Sequence, residues 1–132
     1  MLDTSTVILL GRLTEPDDLP SESVISAVTL AELSVGPHVA NTSAERAARQ
    51  AHLQLAEADF VPIPFDAAAA RAFGLVAASL RRAGRKPAAR AYDALIAATA
   101  IANDLPLYTC NPGDFAAIPD LVVCALPHPG PE

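Results

Sequence analysis

The stretch that decides the fold reads Asp93-Ala94-Leu95-Ile96-Ala97-Ala98-Thr99-Ala100. This alanine-rich run predicts a helix, which we expect over residues 91–103. The residues three, four and seven positions after Asp93 are all apolar, and in a helix they share its face. Asp93 is therefore expected on the stripe that packs against a sheet, although a carboxylate in the first turn would also complement the helix dipole.

Short apolar runs alternate with longer helical runs in the rest of the chain, which predicts α/β layers around a short, mostly parallel sheet. We expect the strands at residues 1–2, 24–26, 60–64, 107–110 and 121–124. The prolines at positions 62 and 64 favour an edge position for the third strand. The pattern predicts one domain over residues 1–126, followed by a Pro-rich tail at 127–132.

Capping residues mark the starts of the helices between these strands. Residues 4–6 offer an N-cap for a first helix over 7–13, and a second helix stops near Gly36. Thr42 and Glu45 have the spacing of a capping box and start a helix that runs to about residue 58. Asp66 caps a helix over 67–82, and loops are expected at 15–20 and 85–90.

Composition restricts the class of protein. The chain has 132 residues, of which 52% are hydrophobic, and that is a globular composition. No apolar stretch approaches the ~20 residues that a membrane span requires. Asp3 and the lack of an early basic cluster argue against a secretory signal, so we expect a cytoplasmic protein in which Cys110 and Cys124 are reduced.

Charge is unevenly distributed along the chain. The formal net charge of −6 argues against indiscriminate nucleic-acid binding. Six of the nine basic residues nevertheless fall within residues 71–90, a window that contains no acid. Such a patch can bind phosphate locally, or it can be a solvated helix end where cations are favourable.

Three further acids stand beside apolar stretches: Asp3 after the first strand, Glu32 inside the second helix, and Asp114 after the strand at 107–110. Glu32 is expected to share a helix face with Val28 and Val35, away from solvent. Ligands of parallel sheets bind at the carboxyl edge, where these acids and Asp93 would meet. Two carboxylates about 4 Å apart repel by about 4 kcal/mol, so such a cluster predicts a divalent cation.

Each acid also has an ordinary structural explanation. Asp3 is a candidate turn or cap residue, and Glu32 a candidate for a buried ion pair with an arginine. Asp114 is a candidate for the start of a short helical turn through residues 115–117. The joint occurrence of the four acids is stronger evidence for a cation site than any one of them alone.

Four pieces of the chain together resemble the PIN-domain ribonucleases, specifically the VapC-type toxins of type II toxin–antitoxin modules. They are Leu2-Asp3-Thr4-Ser5, Ile25-Ser26-Ala27-Val28-Thr29-Leu30-Ala31-Glu32-Leu33, the run from Asp93 to Ala100, and Tyr108-Thr109-Cys110-Asn111-Pro112-Gly113-Asp114-Phe115. No piece is specific alone, but their order, spacing and total length all fit. The resemblance covers nearly the whole chain.

The resemblance implies a PIN-like α/β/α sandwich and hydrolysis of RNA phosphodiester bonds by a water that Mg²⁺ or Mn²⁺ activates. Asp3 and Asp93 would be the primary metal ligands and catalytic residues, and Glu32 and Asp114 would complete the ring. In some relatives the fourth acid falls at the position of Asn111, so Asn111 and Asp114 are alternatives for the last place.

Other residues take supporting roles in this comparison. Ser5, Thr4, Thr109 and Asn111 would hold a ligand or phosphate through their polar side chains. The candidates for contact with the RNA backbone are Arg82, Arg85, Lys86 and Arg90. By family analogy the partner is a small antitoxin, and the assembly is a homodimer or a toxin–antitoxin hetero-oligomer.

Two other functions remain open from the sequence. A phosphohydrolase would use Asp3 as nucleophile in the Asp-Thr-Ser-Thr turn, although such enzymes generally carry a second aspartate at the position of Ser5. A catalytically silent interaction domain would use the acids only as caps, and its melting temperature would not respond to cations.

Overall fold

The computed structural model describes residues 1–13, 19–86 and 90–130, so the predicted loops at 15–20 and 85–90 lie partly outside the described residues. The five α-helices are α1 (Thr4–Leu9), α2 (Ala27–Val35), α3 (Ser43–Asp59), α4 (Ala67–Arg82) and α5 (Ala91–Ala102). The four strands are β1 (Ile25–Ser26), β2 (Pro62–Ile63), β3 (Leu107–Thr109) and β4 (Val123–Ala125). Short 3-10 turns follow α1, α2 and β3.

A short parallel sheet forms the centre of the protein. β1 pairs with β2 and β3 pairs with β4, both in parallel. Leu2 joins the two pairs, since it forms parallel bridges to Ile25 on one side and to Tyr108 on the other. The resulting order is β2, β1, the segment at Leu2, β3 and β4, which confirms the predicted parallel sheet and the edge position of the strand that contains Pro62.

Two apolar clusters lie between the sheet and the helices. One joins α4 and α5 through Val76 and Ile96 to Leu107 of β3. The other joins Leu2 and Ile25 of the sheet to Val7, Leu33 and Ala56, which come from α1, α2 and α3. Because helices pack in this way against both sides of the strands, the predicted α/β/α sandwich is confirmed.

The first helix begins earlier than the sequence predicts. It starts at Thr4 rather than at Val7, and its N-cap is Asp3, whose Oδ1 accepts a 3.2 Å hydrogen bond from the backbone N–H of Thr6. A carboxylate caps a helix well because it satisfies the otherwise free N–H groups of the first turn. The last strand is also shifted, to Val123–Ala125, by its register opposite β3.

The other helix boundaries agree with the sequence prediction to within one or two residues. Asp66 caps α4 through its side chain, and Gly84 follows the helix with a positive φ of 76°. Thr42 accepts from the N–H of Glu45, while the Glu45 carboxylate accepts from Asn41 instead of from Thr42. In the part of the chain that the structure describes, no helix is long and apolar enough to cross a membrane.

Candidate active site

Asp3 is held rigidly at the junction of the sheet and α1. Its side chain is buried, and its Oδ2 accepts hydrogen bonds from the Thr109 hydroxyl at 2.7 Å and from the Ser5 hydroxyl at 3.1 Å. Its Oδ1 caps α1 through the N–H of Thr6. All these contacts donate to the carboxylate, so they fix its position and direction.

A second layer of hydrogen bonds orients these two hydroxyl donors. The amide Nδ2 of Asn111 donates to Ser5 at 3.0 Å, and the backbone N–H of Asn111 donates to Thr109 at 3.0 Å. Ser5, Thr109 and Asn111 therefore form one network around Asp3. Thr4 lies apart from this network, because its hydroxyl donates to Thr29 at 3.1 Å.

Glu32 lies on a helix face that is only partly buried. Val28 is buried as expected, but Val35 is 44% exposed, because the helix presents Val28, Thr29 and Leu33 to the interior. Glu32 lies at the edge of that face, in a cavity of about 210 Å³ that Arg49 and His52 of α3 also line. Its Oε1 is buried and has no hydrogen-bond partner among the residues that the structure describes.

The predicted alternative of an ion pair between Glu32 and an arginine does not fit this geometry. Arg49, which lines the same cavity, donates instead to the carbonyl of Gly36 at 3.0 Å. A buried carboxylate oxygen without a donor is costly, since it has lost its water and gained nothing in return. Such an atom is available for a cation.

Asp93 and Asp114 meet across the carboxyl edge of the sheet. Asp93 lies in the first turn of α5, above the buried Ile96 and Ala97, as its helix pattern predicts. Asp114 lies in the 3-10 turn Pro112–Phe115 that follows β3. Arg90 lies between them, and its Nη1 is 2.9 Å from Oδ1 of Asp114 and 3.6 Å from Oδ2 of Asp93.

Electrostatics tie all four acids to one place. The pKa of Asp93 is raised to about 6, chiefly by burial and also by the negative charges of Asp114, Asp3 and Glu32, while Arg90 opposes the shift. A carboxylate responds in this way only to charges within a short range, because water screens more distant ones. The four residues therefore share one electrostatic environment.

Within the described residues, however, no three His, Cys, Asp or Glu side chains lie close enough together to hold a metal ion as they stand. The donor chemistry does fit a hard divalent cation, since all four acids are carboxylates and Oε1 of Glu32 lacks a partner. The four carboxylates are not as close together as the ligands of a bound metal ion, and the Arg90 guanidinium lies between Asp93 and Asp114.

Basic residues line a cleft beside this site. The cleft has a volume of about 420 Å³, and its lining includes Arg85, Lys86 and Arg90 together with Asp93 and Asp114. Three of the four residues predicted to contact RNA thus face the acids. Arg82 is not among the lining residues, and its guanidinium contacts the Ser79 hydroxyl at 3.4 Å.

Two features of the site do not follow from the sequence prediction. Arg90 is predicted to contact the RNA backbone, and its ion pairs with Asp93 and Asp114 are not predicted. The spacing of three residues between Arg90 and Asp93 was a signal for the first pair, since residues three apart are neighbours at the start of a helix. No local pattern connects Glu32 with Arg49 and His52, which come from another helix.

The comparison with known families agrees with this fold and arrangement. The model of the PIN domain family matches residues 1–121, so the chain belongs to the PIN domain family. Among curated proteins, it is 38% identical over 120 residues to ribonuclease VapC5 of Mycobacterium tuberculosis, covering 89% of this chain and 86% of the relative. Ribonuclease VapC4 of the same organism is 36% identical over 102 residues, which cover 77% of this chain and 75% of the relative.

Solved structures extend the same comparison. VapBC-5 from Mycobacterium tuberculosis, a member of the VapBC family of toxin–antitoxin systems, superposes with a TM-score of 0.81 and 36% identity, over 95% of this chain and 96% of that one. VapBC2 from Rickettsia felis, bound to a DNA fragment from its promoter, has a TM-score of 0.72 and 26% identity, over 93% and 95% of the two chains. The resemblance to VapC-type proteins seen in the sequence is confirmed.

Proposed function

We propose that this protein is a Mg²⁺- or Mn²⁺-dependent endoribonuclease that acts as the toxin of a toxin–antitoxin pair. The observation that carries the proposal is the position of Asp93 and Asp114, which line one cleft and share the Arg90 guanidinium. The raised pKa of Asp93, to which Asp114, Asp3 and Glu32 contribute, agrees with this placement. The similarity to the ribonucleases VapC5 and VapC4 supports the choice of RNA as substrate.

Four acids and their neighbours would form the cation site. Asp3 and Asp93 are the primary ligands, and Glu32 and Asp114 complete the set. When bound, a divalent cation supplies an acidified water for attack on the phosphodiester and offsets charge on the phosphate in the transition state. Ser5 and Thr109 fix the direction of the Asp3 carboxylate through their hydroxyl hydrogen bonds.

The cleft beside the acids would receive the RNA backbone. Arg85, Lys86 and Arg90 bind its phosphates, which carry charge whatever the base sequence. Arg82 is a weaker candidate for contact with RNA phosphate, because it is not among the residues that line the cleft. Asp114 is the stronger candidate for the fourth ligand position, since it offers a charged carboxylate and lines the cleft with Asp93, whereas Asn111 offers a neutral amide oxygen.

The remaining assignments rest on the same similarity. The VapBC assemblies among the structural relatives support a small antitoxin as partner, in a hetero-oligomer or beside a homodimer. A toxin that cuts cellular RNA would act in the cytoplasm. The division into a PIN-like domain over residues 1–126 and a Pro-rich tail over 127–132 remains part of this proposal.

The geometry does not favour a phosphohydrolase with Asp3 as nucleophile. Asp3 is buried, so its carboxylate offers little access to a phosphorus atom. Ser5 stands at the position where such enzymes generally carry a second aspartate. Release of phosphate from a small phosphate ester would restore this alternative.

Cleavage of total RNA tests the proposed function. The purified, antitoxin-free protein is incubated with RNA and Mg²⁺, Mn²⁺ or EDTA, beside the variants Asp93→Asn and Asp120→Asn. Asp120 is an exposed acid outside the site, so it controls for loss of one carboxylate. We expect discrete fragments from the wild type and Asp120→Asn with either metal, and none with EDTA or from Asp93→Asn.

No cleavage with either metal, together with no thermal shift on adding them, would leave the silent interaction domain as the better description. End mapping of the fragments would identify the RNA and the sequence that is cut.

A further inference from the structure

Arg90 is the residue immediately before α5, and one of its nitrogens contacts two of the four acids. Nη1 is 2.9 Å from Asp114 and 3.6 Å from Asp93, which belong to different elements of the fold. Arg90 makes no side-chain capping hydrogen bond to α5. Its guanidinium is therefore directed at the two carboxylates and does not cap the backbone of α5.

The guanidinium and a divalent cation compete for the same charges. A cation that binds Asp93 and Asp114 would lie among the carboxylate oxygens that Arg90 now approaches, and two positive charges at that separation repel. The carboxylates of Asp93 and Asp114 therefore cannot bind the guanidinium and the divalent cation fully at the same time. One of them has to move, and the guanidinium is the group on a flexible side chain.

We propose that the Arg90 guanidinium is a built-in counter-ion of Asp93 and Asp114, which a divalent cation must displace before it binds. Arg90 thereby sets the metal affinity of the site. This inference rests on the proposed metal-dependent function and adds to it a residue that regulates loading of the site.

The surroundings of Arg90 permit this movement. Its side chain is 54% exposed, so the guanidinium can leave the acids without disrupting the core. The released group stays at the cleft, which Arg85 and Lys86 also line. Once displaced from the acids, the Arg90 guanidinium would join Arg85 and Lys86 as a third positively charged side chain on the surface assigned to RNA phosphate. Metal binding and RNA contact would then be coupled through Arg90.

Metal affinity in the absence of RNA tests the inference independently of cleavage. Mn²⁺ binding is measured by electron paramagnetic resonance for the wild type, Arg90→Ala and Arg81→Ala. Arg81 is an exposed arginine of α4 that lines none of the cleft, so it controls for the loss of one positive charge. Because exposed ion pairs are weak, we expect Arg90→Ala to bind Mn²⁺ about 1.5- to 5-fold more tightly, and Arg81→Ala to match the wild type.

The displacement can be followed directly through the nuclear magnetic resonance signal of the Arg90 side-chain Nε–H. This signal is assigned by its absence from the spectrum of Arg90→Ala. We expect this signal to move during a Mg²⁺ titration and to saturate with the metal site. Arg90→Gln replaces Arg90→Ala if the alanine variant does not fold.

Two results would overturn the inference while leaving the proposed function intact. They are equal Mn²⁺ affinity of the wild type and Arg90→Ala, and an Arg90 signal that does not change at saturating Mg²⁺. If neither protein binds Mn²⁺ or Mg²⁺, the metal-dependent function itself fails, and the inference fails with it.

Discussion

Thr109 donates a 2.7 Å hydrogen bond to the Asp3 carboxylate across a sequence separation of 106 residues. Both side chains are buried, and they come from the end of β3 and the N-cap of α1. The bond therefore links the two central segments of the sheet at the edge where the acids meet. It fixes one proposed ligand relative to the strand that leads to Asp114.

Thr109→Val tests the importance of this bond. The change keeps the shape of the side chain but removes the donor to Asp3 and the acceptor of the Asn111 N–H. We expect a loss of about 1–3 kcal/mol in the free energy of unfolding, measured by urea titration, because buried polar groups lose their partners. Cleavage should fall as well, since the Asp3 carboxylate is less firmly oriented.

Thr99→Val is the matched control, because Thr99 is equally buried but donates only to the Leu95 carbonyl within α5. It should change stability less and leave cleavage intact. Equal effects of the two variants on both properties would contradict a special role for the Thr109 bond.

Asp93→Asn is expected to raise the stability of the metal-free protein above pH 6. The pKa of Asp93 rises from 3.8 to about 6 in the folded state, so the folded protein binds more protons than the unfolded chain between these values. The free energy of unfolding of the wild type therefore falls as pH rises through this interval. Allowing for partial exposure, we expect the variant to gain roughly 1–2 kcal/mol at pH 8 and little near pH 4.

Urea unfolding in EDTA at several pH values measures this difference, with Asp120→Asn as the control. A variant that is less stable than the wild type at pH 8 would indicate that Asp93 is a structural cap of α5.

Metal binding should weaken as the solution becomes more acidic. A proton on Asp93 competes with the cation, and the pKa of about 6 places this competition near neutral pH. For one competing proton, the Mn²⁺ dissociation constant should rise about tenfold per pH unit below pH 6 and change little above pH 7. Calorimetric titration across this range measures it, and a constant affinity from pH 5 to pH 8 would contradict the assignment of Asp93 as a ligand.

Glu32→Gln separates a ligand from a structural acid. Oε1 of Glu32 is buried without a partner, so removing its charge should leave the metal-free melting temperature unchanged or higher. The increase in melting temperature on adding Mg²⁺ should shrink, because one oxygen ligand is weakened. Glu57→Gln, at an exposed position of α3, should respond to Mg²⁺ as the wild type does.

The basic lining of the cleft predicts a salt-dependent contact with RNA. Arg85→Ala and Lys86→Ala should weaken RNA binding and each reduce the salt slope of log affinity by about 0.7, the value for one phosphate contact on a single strand. Arg71→Ala, on the exposed surface of α4, should leave the slope unchanged. Fluorescence anisotropy in EDTA measures binding without cleavage, and equal slopes in all four proteins would move the RNA contact elsewhere.

Local signals in the sequence predict most of the fold. The bounds of α4 follow from the Asp66 cap and from Gly84, whose positive φ suits a glycine after a helix. The buried face of α5 follows from the spacing of apolar residues after Asp93. Each of these signals lies within a few residues of the feature that it determines, so no knowledge of the tertiary structure is needed.

The contacts that complete the site are not local, and the sequence does not reveal them. Thr109 meets Asp3 only because their strands are neighbours through Leu2. Glu32 lies beside Arg49 and His52 because α2 packs against α3. These relationships depend on how the elements pack, and periodicity along one helix carries no record of that packing.

If the four acids act as one cation site for cutting RNA, metal binding and cleavage must depend on the same residues. Mn²⁺ occupancy and the rate of RNA cleavage are measured in the same samples, for the wild type and Asp93→Asn. We expect binding and cleavage by the wild type to saturate at the same Mn²⁺ concentration, and Asp93→Asn to lose both. Cleavage that persists in EDTA or in Asp93→Asn would contradict this expectation.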